Sequence, residues 1–286
     1  MVNLRVLSKY NGLKALKNSW LKAIAVLLIL GLLVFGISQL ESAYRKITEI
    51  PELTDNGLIN LNIYSFIISL VFSIIAFFIM TPLILGMTEW YWNLTSGAKP
   101  AIGDIFGWFG SGKLYGKSLW LRFYVGVRKA LWWLLTCGLP AVLLVAAEYY
   151  LSNVNINNPQ NLSDSDIRKV LIAGVLSFFG GTLMIGGIIL FLFVTSRYTL
   201  ANYLIVEDSS RKVSDVVRDS IRYTKDYRWE ITKFFLSYIG WAIACIAIVP
   251  ILFVVPYFYS SFTVYSKHII YEQRKIENNG APVNQQ

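Results

Sequence analysis

The chain has 286 residues, of which 55% are hydrophobic and only 15% charged, and its mean hydropathy is +0.52. About a quarter of the residues of a soluble globular domain are charged, so the composition excludes one. The 26 Lys and Arg outnumber the 17 Asp and Glu; in a water-soluble chain that excess points to nucleic acid, but here it is weighed first against a membrane.

Charge is costly at the centre of a bilayer, so uncharged stretches mark what can cross it. The lead, residues 1–22, is basic and places Leu13, Leu16 and Trp20 on one helical face, with Lys14 and Lys17 off it. That pattern predicts a helix lying along the inner leaflet. The first uncharged run, 23–40, ends near a small-x-small pattern at Gly36-Ile37-Ser38, but a 22-residue lead is long for a signal peptide, and a retained span at 21–40 is expected. The second run opens on the polar residues Asn56, Gly57, Asn60 and Asn62, which leaves one span at 63–87. The third and fourth runs hold one span each, at 130–149 and 170–194, since a crossing takes about 20 residues. The fifth, 234–266, is longer and carries Pro250 and Pro256, which suits two helices at 231–249 and 251–270 joined by a tight turn. A single kinked helix would reduce six spans to five. The expected fold is an all-α polytopic bundle, one integral membrane domain with short interfacial helices on the cytoplasmic side and a disordered tail at 277–286.

Charge tests the count. Six spans with an inner N-terminus put 22 basic residues inside and four outside (Arg45, Lys46, Arg168 and Lys169); five spans give 19 against 7. The positive-inside rule favours six, with both termini in the cytoplasm of a bacterial plasma membrane. By side, the excess becomes net +12 inside and −3 outside, an orientation signal that removes nucleic acid as a partner.

Between the second and third spans, Gly107, Gly112 and Lys113 have the spacing of a phosphate-binding loop. The next residue is Leu114 instead of Ser or Thr, and Gly116-Lys117-Ser118 has Ser111 where the first glycine belongs. The simpler reading is a glycine-rich turn anchored at the interface by Phe106, Trp108 and Phe109. Its basic residues Lys113, Lys117, Arg122, Arg128 and Lys129, with Arg218 and Arg222 further on, are the candidate contacts to anionic headgroups or to a protein partner.

Within the fourth span Ala173, Ser177 and Gly181 stand four apart, a stripe along which another helix can approach. Packing inside the chain is preferred to a seam between copies. Residues 210–227 form an amphipathic helix with Val213, Val216, Val217, Ser220, Ile221, Thr224 and Tyr227 on one face, and with pairs expected at Asp215–Arg218 and Asp219–Arg222 on the other. Cys137 and Cys245 lie in apolar runs, His268 is the sole histidine, and the loop acids Glu148, Asp164 and Asp166 have no fixed spacing. No catalytic set, metal site or cofactor is therefore expected.

The stretch from Ala201, ANYLIVEDSSRKVSDVVRDSIRYTKDYRWEITKFFLSYIGW, followed by Pro250 and Pro256-Tyr257, resembles the bacterial integral-membrane family catalogued as DUF-975. The matching positions are Ser220, Lys225, Trp229, Phe235, Ser237, Gly240, Trp241, Pro256 and Tyr257, with weaker likeness at Pro82, Gly86, the 106–115 turn and Pro140. The family's Lys-Gly-His turn reads Lys225-Asp226-Tyr227 here, and its acidic turn reads Val206-Glu207-Asp208. The arrangement is also similar to the membrane portion of some glycerophosphodiester phosphodiesterases, without their catalytic domain. What the resemblance implies is a polytopic protein of unassigned role. Two functions are expected to compete: a non-enzymatic protein acting through contacts with membrane lipids, other membrane proteins or a second copy, and a small permease or export component for lipid, peptide or small solute.

Overall fold

The computed structural model describes residues 4–50, 54–55, 58–59, 63–152, 154 and 163–280. Among the described residues ten α-helices follow one another: α1 Leu4–Leu16, α2 Trp20–Thr48, α3 Ile63–Thr95, α4 Gly112–Ser152, α5 Asp164–Thr195, α6 Ala201–Glu207, α7 Val213–Tyr223, α8 Arg228–Leu236, α9 Ile239–Ala244 and α10 Ile251–Gly280. Short 3₁₀ segments at Ile102–Phe109, Ser196–Tyr198 and Cys245–Ala247 join some of them. The only strands among the described residues are β1, Thr54–Asp55, and β2, Leu58–Ile59, paired antiparallel in the polar connection between α2 and α3.

Among the described residues five helical stretches are long and apolar enough to cross a membrane: Trp20–Thr48, Ile63–Thr95, Gly112–Ser152, Asp164–Glu207 and Arg228–Ala247. They outrun the predicted spans because an uncharged run measures only the part suited to hydrocarbon. The last third of α3 and the first third of α4 continue into a packed layer, the base, formed with α1, α6, α7, α8 and α10. There Trp90, Trp108, Leu121, Leu204, Ile205, Val216, Val217, Phe234 and Tyr265 are buried.

From this base project two apolar hairpins. In α2–α3, contact with the base ends near Leu30 and Leu83. At the far end Arg45 donates to Glu41 Oε1 (2.8 Å), the Ser65 carbonyl (3.1 Å) and Ser69 Oγ (2.7 Å), while Ser69 donates to Glu41 (2.9 Å). In α4–α5 the buried side of α5 is Ala173, Gly180, Gly187 and Val194, spaced by seven, against Cys137, Pro140 and Ala147 of α4. Ser177 is exposed and only Ala173 of the predicted four-spaced stripe is fully buried. A seven-residue repeat keeps one seam facing a partner that crosses at a shallow left-handed angle. At Gly187 a Cβ would stand 2.4 Å from the Thr136 carbonyl oxygen, so hydrogen sets the approach there.

Three other expectations change. The lead helix α1 docks on α10 through Ser8, Gly12 and Leu16, with Leu13 exposed. Ser260 Oγ donates to the Gly12 carbonyl (2.9 Å), and a Cβ on Gly12 would meet the Ser261 backbone at 2.6 Å. The predicted 231–249 span is a broken series, α8, α9 and a 3₁₀ turn, and the chain then folds back: Phe235 pairs with Phe258 and Tyr238 with Tyr257. Finally, α10 is not among the crossing stretches, because four hydroxyl residues, Ser260, Ser261, Thr263 and Ser266, together with Lys267 and His268 behind them, lower its hydropathy. All four hydroxyl residues are fully buried against protein, so this face meets no lipid. The helix runs on to Gly280, staked by Arg274 to Glu207 (2.8 and 2.6 Å) and by Glu277 to Tyr223 (3.0 Å), into the stretch predicted as a tail; residues 281–286 lie outside the described residues.

Candidate lipid-contact site

The basic residues named from the sequence fall into two groups. In the first, each charge is engaged within the chain. Lys117 donates to the carbonyls of Ser209 and Arg211 (2.9 Å to the latter), holding the α6–α7 loop. Arg218 pairs with Asp215 (2.9 Å), and Arg222 with Asp219 (3.0 Å) and Glu277 (2.5 Å). Arg211 joins them on Asp219, a mostly buried carboxylate shared by two guanidinium groups. The two pairs read from helical spacing are thus present, and α7 presents the valine face expected of it. That face is covered by the base instead of forming a free surface linker, with Ser220 Oγ donating to the Arg197 carbonyl (2.8 Å).

The second group lies along α4. Arg128 donates to Tyr124 Oη (2.7 Å) and stacks on its ring at 3.7 Å. Lys113, Arg122 and Lys129 have no carboxylate partner among the described residues. Arg122 edges a small open pocket where α3, α4 and α6 meet, with Thr81, Leu85, Ser118, Leu121 and Asn202. Lys129 is seven residues on, on the same helical face. Exposed Trp120, Phe123, Val127 and Leu131 interleave with these cations. Apolar and aromatic surface mixed with basic side chains, at the level where a hairpin leaves a polar base, is the composition of a membrane–water interface.

The 3₁₀ segment behind α4 explains its glycine-rich sequence without a phosphate. Trp108 is buried and donates to Glu89 Oε2 (2.7 Å), Trp90 donates to the Ala101 carbonyl (3.0 Å), and a Cβ on Gly86 would lie 1.8 Å from the Ile105 carbonyl oxygen. The turn is clamped onto α3, with Phe106 and Phe109 left exposed. Lys113 stands in the first turn of α4, and the element directly before it is the 3₁₀ segment, where a phosphate-binding loop would have a strand.

Of the positions that carried the family resemblance, Ser220 and Pro256 are buried, Tyr257 packs on Tyr238, and Trp229, Gly240 and Trp241 are exposed. Around α7 two groups depart from their ordinary acidity. Burial, and then the Glu277 carboxylate, raise Tyr223, while hydrogen bonds from the Ser210 hydroxyl and N–H lower Asp208. Both thiols are free, and among the described residues no three His, Cys, Asp or Glu side chains gather.

A helical base carrying long, lipid-length hairpins defines an all-α polytopic membrane protein. The chain belongs to the family described as "Protein of unknown function (DUF975)", which matches residues 5–273. No curated protein and no solved structure matches it.

Proposed function

We propose that this chain is a non-enzymatic component of a bacterial cytoplasmic membrane, with both termini cytoplasmic, that works by holding anionic lipid headgroups along α4. The observation that carries this reading is the pair Arg122 and Lys129. Both lie on one face, neither has a carboxylate partner among the described residues, and both are flanked by exposed aromatic and aliphatic side chains. Each basic residue near an anionic surface contributes on the order of 1 kcal/mol, so two cations without carboxylate partners, one of them edging a pocket lined by hydroxyls and an amide, favour a phosphate headgroup over bulk lipid. The orientation is supported by the charge split, since Arg197, Arg211, Arg274 and the α4 cations all sit on the base side of the hairpins.

The test is lipid retention. Protein purified in mild detergent from membranes of mixed phosphatidylglycerol and phosphatidylethanolamine is expected to keep phosphatidylglycerol in native mass spectra. Arg122→Glu with Lys129→Glu should remove most of it. Arg218→Glu, whose native partner is Asp215, serves as the control and should not. Equal retention in all three proteins would overturn the reading.

A further inference from the structure

The last hairpin differs from the other two in the chemistry of its turn. The connection after α2 contains Glu49, Glu52, Asp55, Asn56 and Asn60, and the one before α5 contains Asn157, Asn158, Asn161 and Ser163, a composition suited to water. From 242 to 256 there is no charged, amide or hydroxyl side chain at all. Polarity falls along the outgoing leg, from Arg228, Glu230 and Lys233 through Tyr238 and Trp241 to Ile243, Ile246, Ile248 and Val249, and it does not rise again at the bend. That gradient runs from interface into hydrocarbon and stops there.

We propose that residues 239–255 form a re-entrant hairpin that dips into the bilayer from the side of the base and returns to the same side without crossing. Length supports this. The packed part of the leg ends at Tyr238, where Lys9 lies over the ring at 4.3 Å, and α9 with the 3₁₀ turn after it has no buried residue. The nine residues from there to Ala247 span about 14 Å, half of the roughly 30 Å hydrocarbon core. On the returning leg Phe253 already packs against Trp20, at the start of the first apolar helix.

The backbone of the turn is equipped for a place without water. Ile248 N–H donates to the Cys245 carbonyl, Val249 to Ala247, Ile251 to Ile248, Leu252 to Val249, and Phe253 and Val254 to Pro250, while Pro250 has no N–H to satisfy. The bilayer core offers no water to exposed backbone groups, so a turn placed there must meet them within the chain, as these N–H groups do. Ile248 also holds φ at 63° with ψ at −57°, a conformation outside the left-handed α region that glycine adopts at far less strain. A turn in water has every reason to carry glycine; this one carries isoleucine, 73% exposed within the chain. The occupant of that exposed surface is the acyl-chain region of the membrane that already surrounds the other two hairpins, so the proposal stands apart from the headgroup reading of α4.

The experiment is single-cysteine labelling of Ile246→Cys and Val249→Cys in a Cys137→Ala, Cys245→Ala background, in sealed vesicles of either orientation. Ser152→Cys and Lys225→Cys report the two sides. Both tip positions should resist an impermeant maleimide from either side. A fluorophore placed there in detergent should, after reconstitution, be quenched several-fold by lipids brominated along the acyl chain. Labelling together with Ser152→Cys would mean two full spans. Labelling together with Lys225→Cys would put the hairpin in water. Resistance without quenching would mean burial against protein. Each of these three results would overturn the proposal, whatever lipid α4 retains.

Discussion

The base and the α4–α5 hairpin are both helix packed on helix, yet they are held together by different means. In the base, Phe234, Tyr265, Trp90 and Trp108 are enclosed by side chains from several helices, and even hydroxyls are buried. In the hairpin, only one thin seam of each helix is enclosed, while Leu135, Leu139, Phe178 and Ile189 point outward. Only 11% of the most apolar window of the Asp164–Glu207 stretch is buried within the chain. The base is therefore stabilised by its own packing, as a soluble core is. The hairpin delegates most of its apolar surface to lipid, and between its helices it keeps only close contact.

That contrast can be broken by substitution. The largest effect is expected at Gly86→Ala in the base, where the new methyl would overlap the Ile105 carbonyl and neither backbone can move away. Thermal unfolding in detergent should show a loss of more than about 3 kcal/mol, or no folded protein. Next is Arg45→Ala, which strands Glu41 beside Ser69 and opens the far end of α2–α3. A loss of about 2 kcal/mol is expected, below that of a fully buried pair because Glu41 is partly exposed. Gly187→Ala should cost about 1–3 kcal/mol and widen the α4–α5 separation in a distance measurement between spin labels at Leu139 and Ile185, leaving the base intact. The smallest effects sharpen the contrast from the other side. Leu139→Ala, on the lipid face, and Arg218→Ala, at an exposed pair, should each stay within about 0.5 kcal/mol; a larger loss at Leu139 would mean that the hairpin has a protein partner there.

The sequence was legible where one solvent decides the residue. Four long helices, the valine face of α7 and its Asp–Arg pairs all follow from period and polarity, because water or lipid lies on a known side. It was less legible where helix meets helix. The Ala173, Gly180, Gly187 seam is a seven-residue repeat lying beside a four-residue repeat of similarly small side chains, and only the partner's position distinguishes them. Docking of α1 on α10 had a signal in the small residues Ser8 and Gly12, which an amphipathic reading of Leu13 and Trp20 concealed. Arg45 escaped because charges were taken to mark where a span ends, and here a charge is folded back against the neighbouring helix. The α4 cations are visible as a set in the sequence, but which of them are engaged elsewhere depends on carbonyls and carboxylates distant in sequence.

The hydrogen bond from Ser260 to Gly12 joins residues 248 positions apart, and much of the berth for α1 is on α10. A ribosome makes α1 well before α10. Until α10 emerges, α1 waits beside the membrane with its Ser8, Gly12 and Leu16 face uncovered, while both long hairpins can already be inserted. Closure of the base has to await α10, and a chain shortened before α10 would insert its hairpins yet never complete the base.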